Sequence, residues 1–158
     1  MKQHRQRGFT LVELMIVMVI IGIMATLALP NLTSLFTRNS LLSSTTSVTS
    51  ALYLARTKAV NDGTKFGVQF GSGSDFYVVS DPLGAPAAHG VVRHLESGVS
   101  FLSNTFVNNL AIFNEYGQLD RSCLSAGQMT GTIMLTNTAD TTQVDVTFIS
   151  GRIRETNL

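Results

Sequence analysis

Several groups of residues have types and spacings that could do chemistry, and each implies a different kind. Gly151-Arg152-Ile153-Arg154 stands near the C-terminal end, and on an extended strand Arg152 and Arg154 point to the same side with guanidiniums about 6 to 7 Å apart. Two such cations can bridge phosphates, so DNA is one expected partner. The other reading is a solvated terminal strand whose arginines pair with Glu155 or Asp145. His89, His94 and Glu96 are candidate metal ligands, with His94 and Glu96 on one strand face, but no second cluster or tight pair joins them. No metal or other cofactor is therefore expected. Gly71-Ser72-Gly73-Ser74-Asp75 lacks the Gly-Lys-Ser/Thr of a phosphate cradle and reads as a hairpin loop. Ser and Thr are plentiful, yet no G-x-S-x-G elbow and no H-E-x-x-H helix is present, so no enzyme is expected. The single cysteine, Cys123, cannot form an internal disulfide and is expected as a small, half-buried core residue.

Glu13 is a different kind of candidate, because its surroundings make it costly. It is the one charge in the 21-residue apolar run Phe9–Leu29. At about 1.5 Å per residue, a helix of that run matches a hydrocarbon core of about 30 Å. A carboxylate there costs up to about 3 kcal/mol at mid-bilayer, so it needs a partner or a function, or else snorkels or protonates. Lys2, His4, Arg5 and Arg7 precede the run, and a basic flank keeps that end cytoplasmic and sends the rest outward. A secretory signal would be cut at the far end of the run, where ATLALP is a poor site.

At the near end, the basic octapeptide MKQHRQRG meets Phe9-Thr10-Leu11-Val12-Glu13-Leu14. This junction resembles the type III signal of type IV prepilins and pseudopilins. The resemblance implies cleavage between Gly8 and Phe9 by a membrane aspartic prepilin peptidase and N-methylation of Phe9. It also implies that Glu13 meets the free N-terminal amine of a neighbouring subunit. Glu13 lies four residues, or about 6 Å, beyond Phe9 along a helix, which suits a staggered pairing. Removing Lys2, Arg5 and Arg7 with the leader leaves eight basic against ten acidic side chains, a mature charge of about −2. A global attraction to nucleic acid is thereby not supported, and any such binding needs a local patch.

These residues need elements to position them. Gly22 and Pro30 are helix breakers, Pro30 for want of an N–H to bond back to Thr26, and a helix break is expected in this region. Beyond it Leu32, Leu35, Phe36, Leu42, Val48, Leu52, Ala55 and Ala59 recur at spacings near three and four, predicting an amphipathic helix that ends at Asn61-Asp62-Gly63. Its Ser43–Ser50 stretch is a weak helix former that packing must hold. After Gly63 the period becomes alternation. Strands are predicted at 65–70, 76–80, 91–95, 99–102, 110–113, 132–136 and 143–149, with an irregular loop at 81–90. The expected fold class is α+β: a long N-terminal helix, transmembrane then amphipathic, packed on a mostly antiparallel β-sheet domain. The expected divisions are a leader at 1–8, a transmembrane and assembly helix at 9–29, an amphipathic helix at 30–62 and a β-rich domain at 63–158.

The segments 112–119, 131–135 and 144–154 are similar to the GspH/FimT branch of minor pilins and pseudopilins, and the chain lacks the paired C-terminal cysteines of many major pilins. That similarity implies a structural subunit of a type IV pilus or a type II secretion pseudopilus. Its implied partners are the prepilin peptidase, other pilin or pseudopilin subunits, an inner-membrane assembly platform and the lipid bilayer before assembly. Its implied location is the inner membrane, single-pass, with the C-terminal domain periplasmic, and then the filament. Some members of the branch resemble DNA-uptake factors in which a GRxR motif contacts DNA, which makes a DNA-binding minor pilin acting through Arg152 and Arg154 the alternative.

Overall fold

The computed structural model describes residues 9–71, 73–80, 87–88, 90 and 92–158, except the side chains of 27–34 and 87–88. The chain divides into two compact units, Met1–Phe36 and Thr37–Leu158. One helix, α1 (Leu11–Asp62), contributes to both. The helix break expected at Gly22 and Pro30 is not present, because α1 is helical through both positions. A proline removes one ladder bond and a glycine costs about 1 kcal/mol, and a long helix carries both without ending. It stops at Asp62 as predicted, where Gly63 takes the left-handed conformation (φ 63°) that halts a helix without a Cβ penalty.

In the second unit the helix buries one stripe: Leu41, Ser44, Thr45, Val48, Ala51, Leu52, Ala55 and Ala59. Leu42, expected on that stripe, is 59% exposed, and Leu41 takes its place. Leu35 and Phe36 are likewise exposed, and the side chain of Leu32 lies outside the described residues. Polarity misdirected the prediction, because two of the buried positions are hydroxylic. The Thr45 hydroxyl donates to the Leu41 carbonyl (2.8 Å), and the Ser44 hydroxyl accepts the Glu96 N–H (2.9 Å), so neither is left unsatisfied by burial.

Two antiparallel sheets complete this unit, giving the expected α+β class. The first holds β1 (Phe66–Phe70), β2 (Asp75–Ser80), β3 (Ala87–Ala88), β4 (Arg93–His94) and β6 (Leu110–Phe113), with β1 central between β2 and β6. The second runs β5 (Ser100–Asn104), β7 (Thr130–Thr136), β8 (Thr141–Thr147) and β9 (Ile153–Asn157). β1 and β2 pair as a hairpin, with Phe70 opposite Phe76 and the Gly71 N–H bonded to the Asp75 carbonyl (2.8 Å), while Ser72 lies outside the described residues. The alternation in β7 and β8 is regular, each inward residue buried and each outward one half-exposed or exposed.

Several boundaries differ from prediction: the strand predicted at 91–95 is only Arg93–His94, that at 99–102 is Ser100–Asn104, and that at 132–136 begins at Thr130. The irregular loop contains the two-residue strand Ala87–Ala88, paired with Val79 and Ser80 of β2, while 81–86 and 89 lie outside the described residues. The strand predicted to reach Ile149 ends at Thr147, where the chain turns back with a Gly151 N–H to Thr147 carbonyl bond (2.9 Å). Aromatic rings close the core between the sheets. Phe101 of β5 meets Phe70 edge-on at 5.5 Å between centroids and Phe76 at 6.3 Å. Gly131 in β7 makes room for Phe106, whose ring would lie 2.1 Å from a Cβ placed there.

Candidate functional site

The N-terminal segment is built around a cap. Phe9 precedes the helix and is 80% exposed, and the helix begins where the Glu13 N–H donates to the Thr10 side-chain oxygen (3.3 Å) and the Leu14 N–H to the Thr10 carbonyl (3.3 Å). Thr10-Leu11-Val12-Glu13 thus has the T-x-x-E spacing of a capping box, with the hydroxyl half made. This places the Glu13 carboxylate in the first turn, near the positive end of the helix dipole. The sequence carried the signal, but Thr10 was not singled out as functional. Gly8 lies outside the described residues.

Every described side chain from 9 to 26 is exposed, the large apolar ones from 46% at Val17 to 80% at Phe9. A helix apolar on all sides is stable only inside lipid or among other helices. Among the described residues no helix is long and apolar enough to cross a membrane. The described part, 11–26, reaches about 24 Å at about 1.5 Å per residue, short of a core of about 30 Å, whereas the run expected over 9–29 continues into side chains outside the described residues. Gly22 has no neighbour within 4 Å of a Cβ placed on it, so nothing within the chain requires a glycine there.

The C-terminal arginines sit in a different setting from the one the motif suggested. Gly151 belongs to the turn between β8 and β9, left-handed at φ 57°, and a Cβ on it would lie 2.0 Å from the Gly117 carbonyl oxygen. Its requirement is conformational and steric. Arg152 precedes β9, its carbonyl accepting the Thr147 N–H at 2.9 Å, and Arg154 lies within the strand directly opposite Asp145. Both side chains are exposed, flanking the buried Ile153. Asp145 also accepts from Thr132 (2.8 Å) and Gln143 (2.8 and 2.9 Å). Arg154 therefore faces a carboxylate across the ladder, while the Glu155 carboxylate accepts from Thr49 (2.6 Å).

The remaining candidates are occupied with packing. His94 contacts Asp75 (2.8 Å), and β4 ends at His94, so Glu96 does not share its strand. Glu96 accepts instead from Ser43 (3.4 Å). Among the described residues no group of three or more His, Cys, Asp or Glu could hold a metal, and His89 lies outside them. Cys123 is more deeply buried than expected, at 1% exposure, and burial pushes its thiol up to about 11, far from the reactive range. Beside it Asp120 is partly buried, which acts to raise its pKa. Bonds from Lys65 Nζ (2.7 Å), the Ser122 hydroxyl (2.7 Å) and the Ser122 N–H (2.9 Å) outweigh that and hold the carboxyl below its usual range.

Comparisons with known proteins follow the same division. Residues 3–29 match the prokaryotic N-terminal methylation motif. The same end of the chain is 60% identical over 30 residues to type II secretion system core protein G of Dickeya chrysanthemi, covering 19% of this chain and 20% of that one. It is 59% identical over 32 residues to the corresponding protein of Klebsiella michiganensis, covering 20% and 22%. The match thus spans about a fifth of these relatives. The fold is similar to that of the minor pseudopilin EpsH from the type 2 secretion system of Vibrio cholerae, with a TM-score of 0.58, 12% identity, and 75% of this chain and 97% of that one covered. It is similar also to the type IV minor pilin FimU of Pseudomonas aeruginosa, with a TM-score of 0.59, 17% identity, and 74% and 88% covered. The chain thus joins an N-terminal methylation motif over residues 3–29 to a fold similar to those of a minor pseudopilin and a minor pilin.

Proposed function

We propose that the chain is a structural subunit of a pilin-like filament, a minor pilin or pseudopilin that is held in the inner membrane and then assembled through its N-terminal helix. One observation carries this reading: a methylation motif over residues 3–29 opens a helix whose described apolar side chains as far as residue 26 are all uncovered. In this proposal the prepilin peptidase cuts between Gly8 and Phe9, Phe9 is N-methylated, and the run 9–29 crosses the bilayer once with its N-terminal end cytoplasmic and residues 37–158 outside. Other subunits and the assembly platform then replace lipid around the helix. Glu13 receives the amine of a neighbouring Phe9, exchanging a costly lone carboxylate in lipid for an ion pair. No covalent chemistry by this chain is required.

The test is mass spectrometry of the N-terminus from cells that make the peptidase, combined with the sheared filament fraction. The reading expects a chain that begins at methylated Phe9 and appears in filaments. A chain that keeps residues 1–8, or begins elsewhere, overturns it. The DNA-binding alternative has less to support it, since Gly151 has a steric reason to be glycine and Arg154 faces Asp145.

A further inference from the structure

One side chain of the turn between β7 and β8 does two separate things. Asn137 Oδ1 accepts the Ala139 N–H (2.9 Å) and the Asp140 N–H (2.8 Å), and the Asn137 N–H donates to the Asp140 carbonyl (3.0 Å). The Thr136 hydroxyl reaches the Asn137 and Asp140 carbonyls (3.2 and 3.3 Å) and the Thr141 hydroxyl (3.1 Å). The turn is thus closed by its own bonds. The other end of the same amide, Asn137 Nδ2, donates to the Thr37 carbonyl of α1 at 2.7 Å, across 100 residues of chain. Two backbone donors on one side and a carbonyl on the other fix which way round the amide lies. Arg38 meets Asp140 beside it at 3.7 Å, in a pair too exposed to add much.

The Asn137 bond falls at a boundary. Thr37 is the first residue of the second unit and is half-buried, as is Asn137. Leu41, one turn further on, is the first core side chain of α1 among the described residues, whereas Leu35 and Phe36 are exposed. Toward the N-terminus the helix carries Pro30, which has no N–H for the ladder, and the exposed side chains 9–26 give it no packing within the chain. A helix without packing is marginal, so opening starts there more readily than in the turns that fill the core. The N–H of Leu41 is the α-helical partner of the Thr37 carbonyl, so holding that carbonyl holds the first core turn. We propose that the β7–β8 turn is a latch that sets where opening of α1 stops. The uncovered segment can then change conformation without loosening the helix turns that pack in the core. The latch is a property of the chain by itself and does not rest on the function proposed above.

Hydrogen exchange read by mass spectrometry on the purified full chain in detergent tests it. In the wild type the amides of residues 31–36 are expected to exchange about tenfold or more faster than those of 41–45. Asn137→Asp is the decisive variant, because a carboxylate there keeps the two turn bonds from Ala139 and Asp140 but has no proton to donate to Thr37. It is expected to speed exchange over 41–45 about fivefold, the size of one lost hydrogen bond, while 48–62 and β8 keep their wild-type rates. Arg38→Ala, which removes only the exposed ion pair, is expected to change the same amides by less than about twofold. Wild-type rates over 41–45 in Asn137→Asp overturn the proposal. So does the absence of a step between 31–36 and 41–45 in the wild type, or a rise in the variant spread evenly over 41–62 and β8, which would mark general loss of stability.

Discussion

The two units of this chain solve the problem of apolar surface in opposite ways. In Thr37–Leu158 the apolar side chains meet one another: Phe70, Phe76, Phe113, Leu52 and Ile112 are essentially fully buried. In the described part of Met1–Phe36 they meet nothing, and Val17, the least exposed of the large ones, still shows 46% of its surface. One unit therefore carries its stabilising partners within itself, and the other must find them in lipid or in other chains. The similarities divide along the same line. Thirty residues at the start share 60% identity with a secretion protein, whereas the fold of most of the chain is shared at 12 to 17%. A core accepts many sequences of the right volume and pattern. On the function proposed above, the N-terminal segment is read by a peptidase, a bilayer and neighbouring helices, and is held to particular residue types.

The largest effect that would sharpen this contrast belongs to Glu13. Glu13→Ala in the full chain is expected to abolish recovery in the sheared filament fraction while leaving the melting temperature of the β-rich unit, followed by circular dichroism in detergent, within about 1 °C of wild type. Incorporation at the wild-type level would break the comparison at its stronger end. The converse substitution is Phe113→Ala, which removes a ring of 0% exposure. It is expected to cost about 3–5 kcal/mol and to lower that same melting temperature, while cleavage before Phe9 proceeds normally. If processing failed together with folding, the two units would not be independent in the way their surfaces suggest.

How far the sequence could be read follows from which forces act locally. The helix end at Gly63, the hairpin at 71–75 and the alternation in β7 and β8 were legible, because backbone conformation and period are local properties. The choice of Leu41 over Leu42 was not, since the buried stripe runs through Ser44 and Thr45, whose hydroxyls are satisfied by bonds that a sequence does not show. The end of β8 was missed because Gly151 was read as part of a binding motif rather than as a turn residue. At the candidate site the opposite happened. Glu13 was found from its cost in lipid, yet Thr10 stood in a T-x-x-E pattern three residues before it and was passed over.

Gly151 gives the next test, smaller than the loss of a core ring. Alanine there must adopt φ 57° and place its Cβ 2.0 Å from the Gly117 oxygen, so Gly151→Ala is expected to cost about 2–3 kcal/mol, read as a lower denaturation midpoint. A binding role for the glycine predicts the reverse, unchanged stability with altered affinity for a ligand. An unchanged midpoint would therefore return Gly151-Arg152-Ile153-Arg154 to the list of binding motifs.

The smallest effect concerns pH and is confined to the second unit. Asp120 has a folded-state pKa below its ordinary value because the bonds from Lys65 and Ser122 outweigh its partial burial. A carboxyl of this kind binds protons more readily when unfolded. Its contribution is therefore fully present above the unfolded value of about 3.9 and is lost as pH falls through that value to the lower folded one. In denaturant titrations from pH 7 to pH 2, wild type should lose stability more steeply than Asp120→Asn at the acid end. The two curves should converge there by about 1 kcal/mol, the size of one hydrogen-bonded pair that water still reaches at Lys65 (39% exposed). Parallel curves would mean that the bonds from Lys65 and Ser122 do no more for the folded state than water does for the unfolded one. Incorporation into filaments at neutral pH should be the same for both proteins, because this pair belongs to the second unit and assembly is proposed to depend on the apolar segment of the first.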